Sequence, residues 1–421
     1  MALSVNPTFT RTAYPLGSAL LVTVRTFLSG KNTVAITRFI ICTKIDKLSV
    51  KTKLTHPKSA ILGTNGRFFS LTVIQMYICG PEMAILMQNI INILAIESSC
   101  DETSAAIIQD GKVLSNLIAT QQVHERFGGV VPELASRVHM QNIVPVVEMA
   151  IKDAGIEKND ITAVAFTQAP GLIGSLLVGA CFAKSFAQAR KLPLIAVHHM
   201  QAHVLAHFIE RNPPFPFLCL TVSGGHTQIV LCKDFLDMEI VGETIDDAAG
   251  EAFDKVAKML GLPYPGGPLV DKYAKEGDPL KFKFPISEMK DYDFSFSGVK
   301  TSILYFLQAQ RKADPDFAEK NMADICASAQ HTIVKTLIKK LEKAAATLGI
   351  KHIGIAGGVS ANSGLRKALE ETGKKNGWTT YIPRFEYCTD NAAMIGITGY
   401  HKYLKGDFVD MTVSPSARAA W

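Results

Sequence analysis

The sequence predicts an α/β protein made from a duplicated unit, with a nucleotide held between its two halves. Three observations lead there. Short apolar runs alternate with stretches of helical period, two distant segments share one hairpin pattern, and both hairpin turns are built from small polar residues. Strands alternating with helices define an α/β class. The first hairpin runs from Ile93-Leu94-Ala95-Ile96-Glu97 through Ser98-Ser99-Cys100-Asp101-Glu102-Thr103 into Ala105-Ala106-Ile107-Ile108. The second runs from Phe217–Val222 through Ser223-Gly224-Gly225-His226-Thr227 into Ile229-Val230-Leu231. Apolar runs bounded by turn residues read as buried, paired strands. Turns of Ser, Thr and Gly offer hydroxyls and free N–H groups that cradle phosphate. Two of them in one chain point to duplication.

The remaining elements follow in order. Val138–Ala154 repeats Ile143, Val146, Val147, Ala150 and Ile151 at helical spacing and stops at Gly155. A strand is expected at Ala163–Thr167, a buried helix at Leu172–Arg190 and a strand at Leu194–Val197. Tyr264–Phe296, with Pro265-Gly266-Gly267-Pro268 and many aromatics, reads as an irregular insertion near the cleft. Met322–Leu348 is a long amphipathic helix ended by Gly349, followed by a strand at His352–Ala356. The domain boundaries expected are 87–213 for the first lobe, 214–400 for the second and 401–421 for a C-terminal tail.

Residues 1–86 stand apart. They carry ten Lys/Arg against Asp46 and Glu82, so the net charge of +6 comes from this segment and the rest of the chain is nearly neutral. Nucleic-acid binding by residues 87–421 must then rely on a local patch. The segment is basic, Ser/Thr-rich and without sustained period, the composition of a mis-assigned start with Met87 as the true one, of a transit peptide or of a genuine appendage. It is expected to lack fixed structure. No run reaches the ~20 apolar residues of a membrane span, since Leu71–Ile96 is broken by Gly80-Pro81-Glu82. Eight scattered cysteines form no CxxC pair, which argues for a reducing compartment and against a disulfide framework.

Four constellations carry chemistry. In His198-His199-Met200-Gln201-Ala202-His203, His199 and His203 stand at i, i+4 on one helix face, a spacing that suits two imidazoles on one metal. For an isolated pair, plain surface or core histidines are the commoner case. No Glu follows the first histidine, so an HExxH protease would lack its base. Asp247, Glu251 and Asp254 share a face of the next helix, and complementation of its dipole accounts for Asp246 and Asp247. Asp254, beside Phe253 and ahead of Pro265-Gly266-Gly267, suits a ribose in the cleft. Ala356-Gly357-Gly358-Val359-Ser360-Ala361-Asn362 is a strand ending in glycines that admit a flat ligand. Asp390, in Cys388-Thr389-Asp390-Asn391, either caps the helix running to Tyr400 or completes a site with the two histidines.

Together with Gly128-Gly129-Val130-Val131-Pro132-Glu133-Leu134-Ala135-Ser136-Arg137, Gly250-Glu251-Ala252-Phe253-Asp254-Lys255, Tyr264-Pro265-Gly266-Gly267 and Phe294-Ser295-Phe296-Ser297-Gly298, these motifs resemble the TsaD/Gcp family, from Ile93 to about Tyr400. The resemblance implies a two-lobed actin-like ATPase (ASKHA) fold with a nucleotide cleft between the lobes. It implies transfer of a threonylcarbamoyl group from threonylcarbamoyl-AMP to N6 of the adenosine 3′ of the anticodon, in tRNAs reading codons that begin with A. Metal ligands fall on His199, His203 and Asp390, for one divalent ion, with iron favoured and zinc the alternative. Adenylate-binding positions fall on Thr221, Val222, Ser223, Gly224, Gly225, Asp254, Gly267, Asp271 and Asn362. Thr221 replaces a metal-ligating Tyr of archaeal and eukaryotic cytosolic relatives, which points to the bacterial and mitochondrial branch and leaves a fourth protein ligand unassigned. Asp101 is the candidate for accepting or orienting the amine proton, with Glu102 beside it. Partners implied are tRNA, a TsaB-like paralogue and a TsaE-like P-loop ATPase, with no membrane. The location implied is cytoplasmic, or mitochondrial if residues 1–86 are a transit peptide. A glycoprotease-type metalloprotease and a non-catalytic scaffold paralogue are the competing classes. The missing HExxH glutamate counts against the first and the retained histidine pair against the second. A sugar kinase of the same fold would lack the histidine pair.

Overall fold

The computed structural model describes the backbone of residues 19–26 and 35–42 and, throughout, residues 90–419. Two units separate at residue 89. In the first, β1 (Ala19–Thr26) and β2 (Ala35–Cys42) pair antiparallel, although the sequence there shows no sustained strand period. Both are runs rich in apolar and β-branched residues, which favour strands. The other expectations for residues 1–86 lie outside the described residues.

The second unit holds two five-stranded sheets. The first contains β3 (Asn92–Glu97), β4 (Thr103–Gln109), β5 (Lys112–Ala119), β6 (Ala163–Ala169) and β7 (Leu194–His198), in the order β5-β4-β3-β6-β7. The second contains β8 (Phe217–Val222), β9 (Thr227–Asp234), β10 (Asp237–Glu243), β11 (His352–Ala356) and β12 (Thr379–Tyr381), in the order β10-β9-β8-β11-β12. In each, three antiparallel strands continue into parallel ones. The equal topology bears out the duplicated α/β reading. Central strands β3 and β8 are buried along their whole length, as strands covered on both faces must be.

Helices are α1 (Pro132–Asp153), α2 (Ile173–Arg190), α3 (His199–Leu205), α4 (His207–Glu210), α5 (Ala249–Met259), α6 (Gly266–Ala274), α7 (Ser297–Ala313), α8 (Phe317–Lys320), α9 (Met322–Leu348), α10 (Ser363–Asn376) and α11 (Ala392–Leu404). α1 begins six residues before the expected Val138, because Pro132 is pre-set for a first helical turn. Ile143, Val147 and Ala150 of α1 and Ala180, Ala183 and Ala187 of α2 pack on Leu94, Ile96 and Phe166 of the first sheet. α5, α7 and α9 cover one face of the second sheet around Phe253, Ile303 and Ile333.

Two further elements differ from expectation. The 264–296 stretch is not wholly irregular, because α6 lies inside it. Asp254 Oδ1 accepts the N–H groups of Gly266 and Gly267 at 2.9 and 3.0 Å and so starts the helix. α11 returns to the first sheet, although a lobe boundary at 400 would put residues 392–400 in the second. Its Gly396 and Gly399 let the backbone close on Ala95, Ile108 and Ala165.

α3 is held from both sides. Ala202 and Ala206 pack with Ile93, Ala95 and Ile195 of the first sheet. Val204 and Leu205 pack with Phe217, Cys219 and Val230 of the second. The histidine helix is thus seated between the two sheets. Among the described residues no helix is long and apolar enough to cross a membrane.

Candidate metal and phosphate site

The first turn of α3 follows directly on the buried strand β7, so its side chains emerge at a sheet end. His199 and His203 are both buried and stand edge to face, ring centroids 4.7 Å apart. Asp390 meets them from a position 187 residues further on: its Oδ1 lies 3.1 Å from His203 Nε2 and 3.4 Å from His199 Nε2. Asn391, not Asp390, caps α11, its Oδ1 accepting the Met394 N–H. Asp390 is thereby free to face the histidines, and the capping alternative is set aside.

Behind His199 lies a residue that sequence reasoning left without a role. Glu97, fully buried at the end of β3, has Oε2 3.2 Å from His199 Nδ1 and accepts the Thr167 hydroxyl at 2.5 Å. Its Oε1 accepts the Ser99 N–H at 2.5 Å. Burial pushes the Glu97 carboxyl up, but the His199 ring outweighs it and the net shift is down. Burial likewise disfavours charge on His199, and the Asp390 and Glu97 carboxylates overcome it, raising His199 well above its ordinary value. The one available signal was a lone carboxylate ending a four-residue apolar run, which demands a buried cationic or donor partner.

The donor set fits a divalent cation. Ligand atoms of His199, His203 and Asp390 lie within 4.8 Å of one another. Two imidazole nitrogens and one carboxylate oxygen are the N and O donors that a divalent cation takes. The Glu97–His199 contact is the carboxylate–imidazole arrangement that fixes a ligating ring. His203 Nδ1 is buried without a hydrogen-bond partner.

The other sequence candidates divide into two groups. Asp101 and Glu102 stand in the first turn. Burial, then the charges of Asp390 and Asp101, push the Glu102 carboxyl up to about 9. The same turn is fixed by His139, whose Nε2–H donates to Cys100 O (2.9 Å), leaving Nδ1 to accept the Thr103 hydroxyl (2.8 Å). In the second sheet, Thr221 and Val222 are wholly buried, backbone included. Gly224 and Gly225 have open space where a Cβ would be, and Ser223 Oγ accepts the His226 N–H. Backbone of α5 and of the turn after β11 closes on this loop: a Cβ on Gly250 would meet Ser223 O at 2.5 Å, and one on Gly357 would meet Val222 O at 2.4 Å. Three further positions have structural partners already. Asp254 Oδ1 holds the start of α6, Asp271 Oδ1 accepts Ser363 N and Oγ at 3.1 and 2.7 Å, and Asn362 caps α10 while donating to Gln330 at 2.7 Å. Burial raises the Asp254 carboxyl, against the pull of the two glycine amides. Gly267 stands beside Asp254 with room around it, a Cβ there meeting only the Phe253 Cβ at 3.8 Å. Asp247 and Glu251 are engaged by Lys255.

Paired sheets of equal topology, with a histidine–carboxylate cluster on the helix between them, define a duplicated α/β protein of the actin-like class carrying a candidate metal centre. Residues 112–397 match the TsaD family, described as tRNA N6-adenosine threonylcarbamoyltransferase, and the chain belongs to that family. The enzyme of that name from Christiangramia forsetii is 62% identical over 332 residues, 78% of this chain and 98% of its own length. The one from Cytophaga hutchinsonii is 58% identical over 329 residues, 78% and 96% of the two chains. Full-length HypF in its phosphate- and nucleotide-bound form is similar in fold alone, with a TM-score of 0.51 at 15% identity over 76% of this chain and 47% of its own.

Proposed function

We propose that this chain transfers a threonylcarbamoyl group from threonylcarbamoyl-AMP to the N6 amine of adenosine 37 of tRNA, releasing AMP. Family membership supports the reaction, and the seating of His199, His203 and Asp390 between two hairpin-led sheets supports the site. The donor is a mixed anhydride of a carbamate and a phosphate, so no protein nucleophile is required. The N6–carbonyl bond forms, the carbonyl–oxygen bond to phosphate breaks, and the amine loses one proton. What the enzyme must supply is position and relief of negative charge.

The turn at Gly224 and Gly225 suits the phosphate, since nothing lies within 4 Å of where a Cβ would be and no carboxylate stands in it. Asp254, beside the start of α6, suits the ribose. Asp101 is the proposed acceptor of the amine proton, with Glu102 beside it, its carboxyl pushed up by burial and then by the charges of Asp390 and Asp101. A divalent ion, iron in preference to zinc, would be held by His199, His203 and Asp390 and would supply a Lewis acid and a template for the donor's oxygens. A TsaB-like paralogue and a TsaE-like ATPase are the proposed partners, in the cytoplasm. A metalloprotease reading lacks its general base.

The test combines the purified chain with its two partners, threonylcarbamoyl-AMP and an unmodified tRNA reading an A-starting codon. Nucleoside mass spectrometry should show threonylcarbamoyladenosine. Unmodified adenosine with an active partner set would overturn the proposal.

A further inference from the structure

Asp390 is carried by a loop that would wander unless something outside it fixes its path. Residues 383–390 contain a three-residue 3₁₀ turn, Phe385–Tyr387, and no strand. One side of the loop is tied to α4, where Arg384 pairs with Glu210. The other side is tied by Arg366 of α10. Its Nη2 donates to Pro383 O at 2.8 Å and to Cys388 Sγ at 3.0 Å. Its Nε donates to Ser360 O at 2.7 Å, in the turn after β11. Its guanidinium lies over the Phe385 ring, 4.1 Å from the centroid.

One planar fork therefore touches both ends of the loop and the turn that leads to Asn362. We infer that Arg366 is a positioning residue that locks the Asp390 loop to the turn after β11, so that the third ligand of the metal site is held in register with the adenylate side of the cleft. The inference rests on the metal-site reading above. A guanidinium is suited to the task and an ammonium is not. It donates in fixed directions, stacks on an aromatic ring and keeps its charge at every pH.

The experiment compares Arg366→Lys and Arg366→Gln with the unaltered chain in three measurements. Chelator competition for Fe²⁺ and Zn²⁺ should show affinity weakened roughly ten- to a hundredfold in both variants, the range seen when a ligand's support is removed. Thermal unfolding in EDTA should stay within about 3 °C of the parent, separating site geometry from global stability. Alkylation of the metal-free protein should label the buried Cys388 at least about tenfold faster in the variants, while the buried Cys219 and Cys232 stay protected. In the transferase assay kcat should fall with the KM for tRNA unchanged. Equal metal affinity together with equal Cys388 labelling would overturn the inference. Full rescue by Lys would also overturn it, since charge alone would then suffice. If even the unaltered chain binds neither ion, the metal-site reading fails. The Cys388 rates still decide whether Arg366 pins the loop.

Discussion

The two hairpin turns occupy equivalent places in equivalent sheets and have opposite characters. The β3–β4 turn is crowded and acidic. Glu97 is sealed under it, Asp101 and Glu102 lie within it, and its Ser99 carbonyl accepts the Leu172 N–H at 2.7 Å at the start of α2. A Cβ on Gly171 would strike Ser99 O at 2.6 Å. The β8–β9 turn is bare. It has no carboxylate, its two glycines face open space, and Gly250 and Gly357 close on Ser223 and Val222 from behind. A phosphate next to the first turn would meet like charge in a poorly screened place. Next to the second it meets backbone N–H groups. The same hairpin supports an imidazole in one sheet and leaves open, uncharged backbone in the other.

Removing an imidazole breaks the first side of this comparison most severely. His199→Ala and His203→Ala should each lose the metal and the transferase activity while the fold persists, since three ligands become two. Metal content by mass spectrometry of the purified variants, alongside circular dichroism, checks this, and full metal occupancy in both would sink the site. Glu97→Gln should act more mildly, weakening metal affinity about ten- to a hundredfold by loosening the His199 ring. Chelator competition reads the difference.

The second turn can be broken from behind. Gly250→Ala should cost about 1–3 kcal/mol in urea unfolding, because the new methyl meets backbone that cannot yield. Gly224→Ala, with nothing within 4 Å of the new methyl, should leave stability nearly unchanged. Equal costs at the two positions would show that the loop is not packed as described.

Acid and alkali should separate two buried groups, His207 and Glu102, in metal-free protein. Burial, then the nearby Arg211, holds His207 under the second sheet at about 4, below the usual 6.5. The unfolded chain takes up that proton first, so stability is present above pH 6.5 and is lost as pH falls towards 4. The slope is at most about 1.4 kcal/mol per pH unit. Glu102 runs the other way. Its folded value of about 9 lies above the usual 4.5, so stability is greatest at low pH and is lost as pH rises from 4.5 through 9. Glu102→Gln should flatten the alkaline limb and leave the acid limb intact. A variant with both limbs unchanged would refute the burial of Glu102.

What the sequence determined by itself was local. β11 and α9 begin and end where the apolar period and Gly349 place them, and both hairpins form as read. HxxxH spacing alone puts His199 and His203 on one face, because a helix repeats every 3.6 residues. Tertiary structure decided what depends on distant chain segments. Asp390 could cap or ligate on local grounds, and the choice fell to Asn391 as cap and to the return of α11 onto the first sheet through Gly396 and Gly399. Asp254 and Asn362 looked like ligand contacts and serve at least as much as helix starts, because backbone N–H groups brought beside them compete for the same oxygens. Glu97 had no readable role, since nothing local says that a buried carboxylate will find an imidazole 102 residues away. Spacing along a helix or strand is fixed by the backbone's own period. The pairing of Glu97, His199 and Asp390 is fixed only when two sheets close on one helix and leave buried charges no other partner.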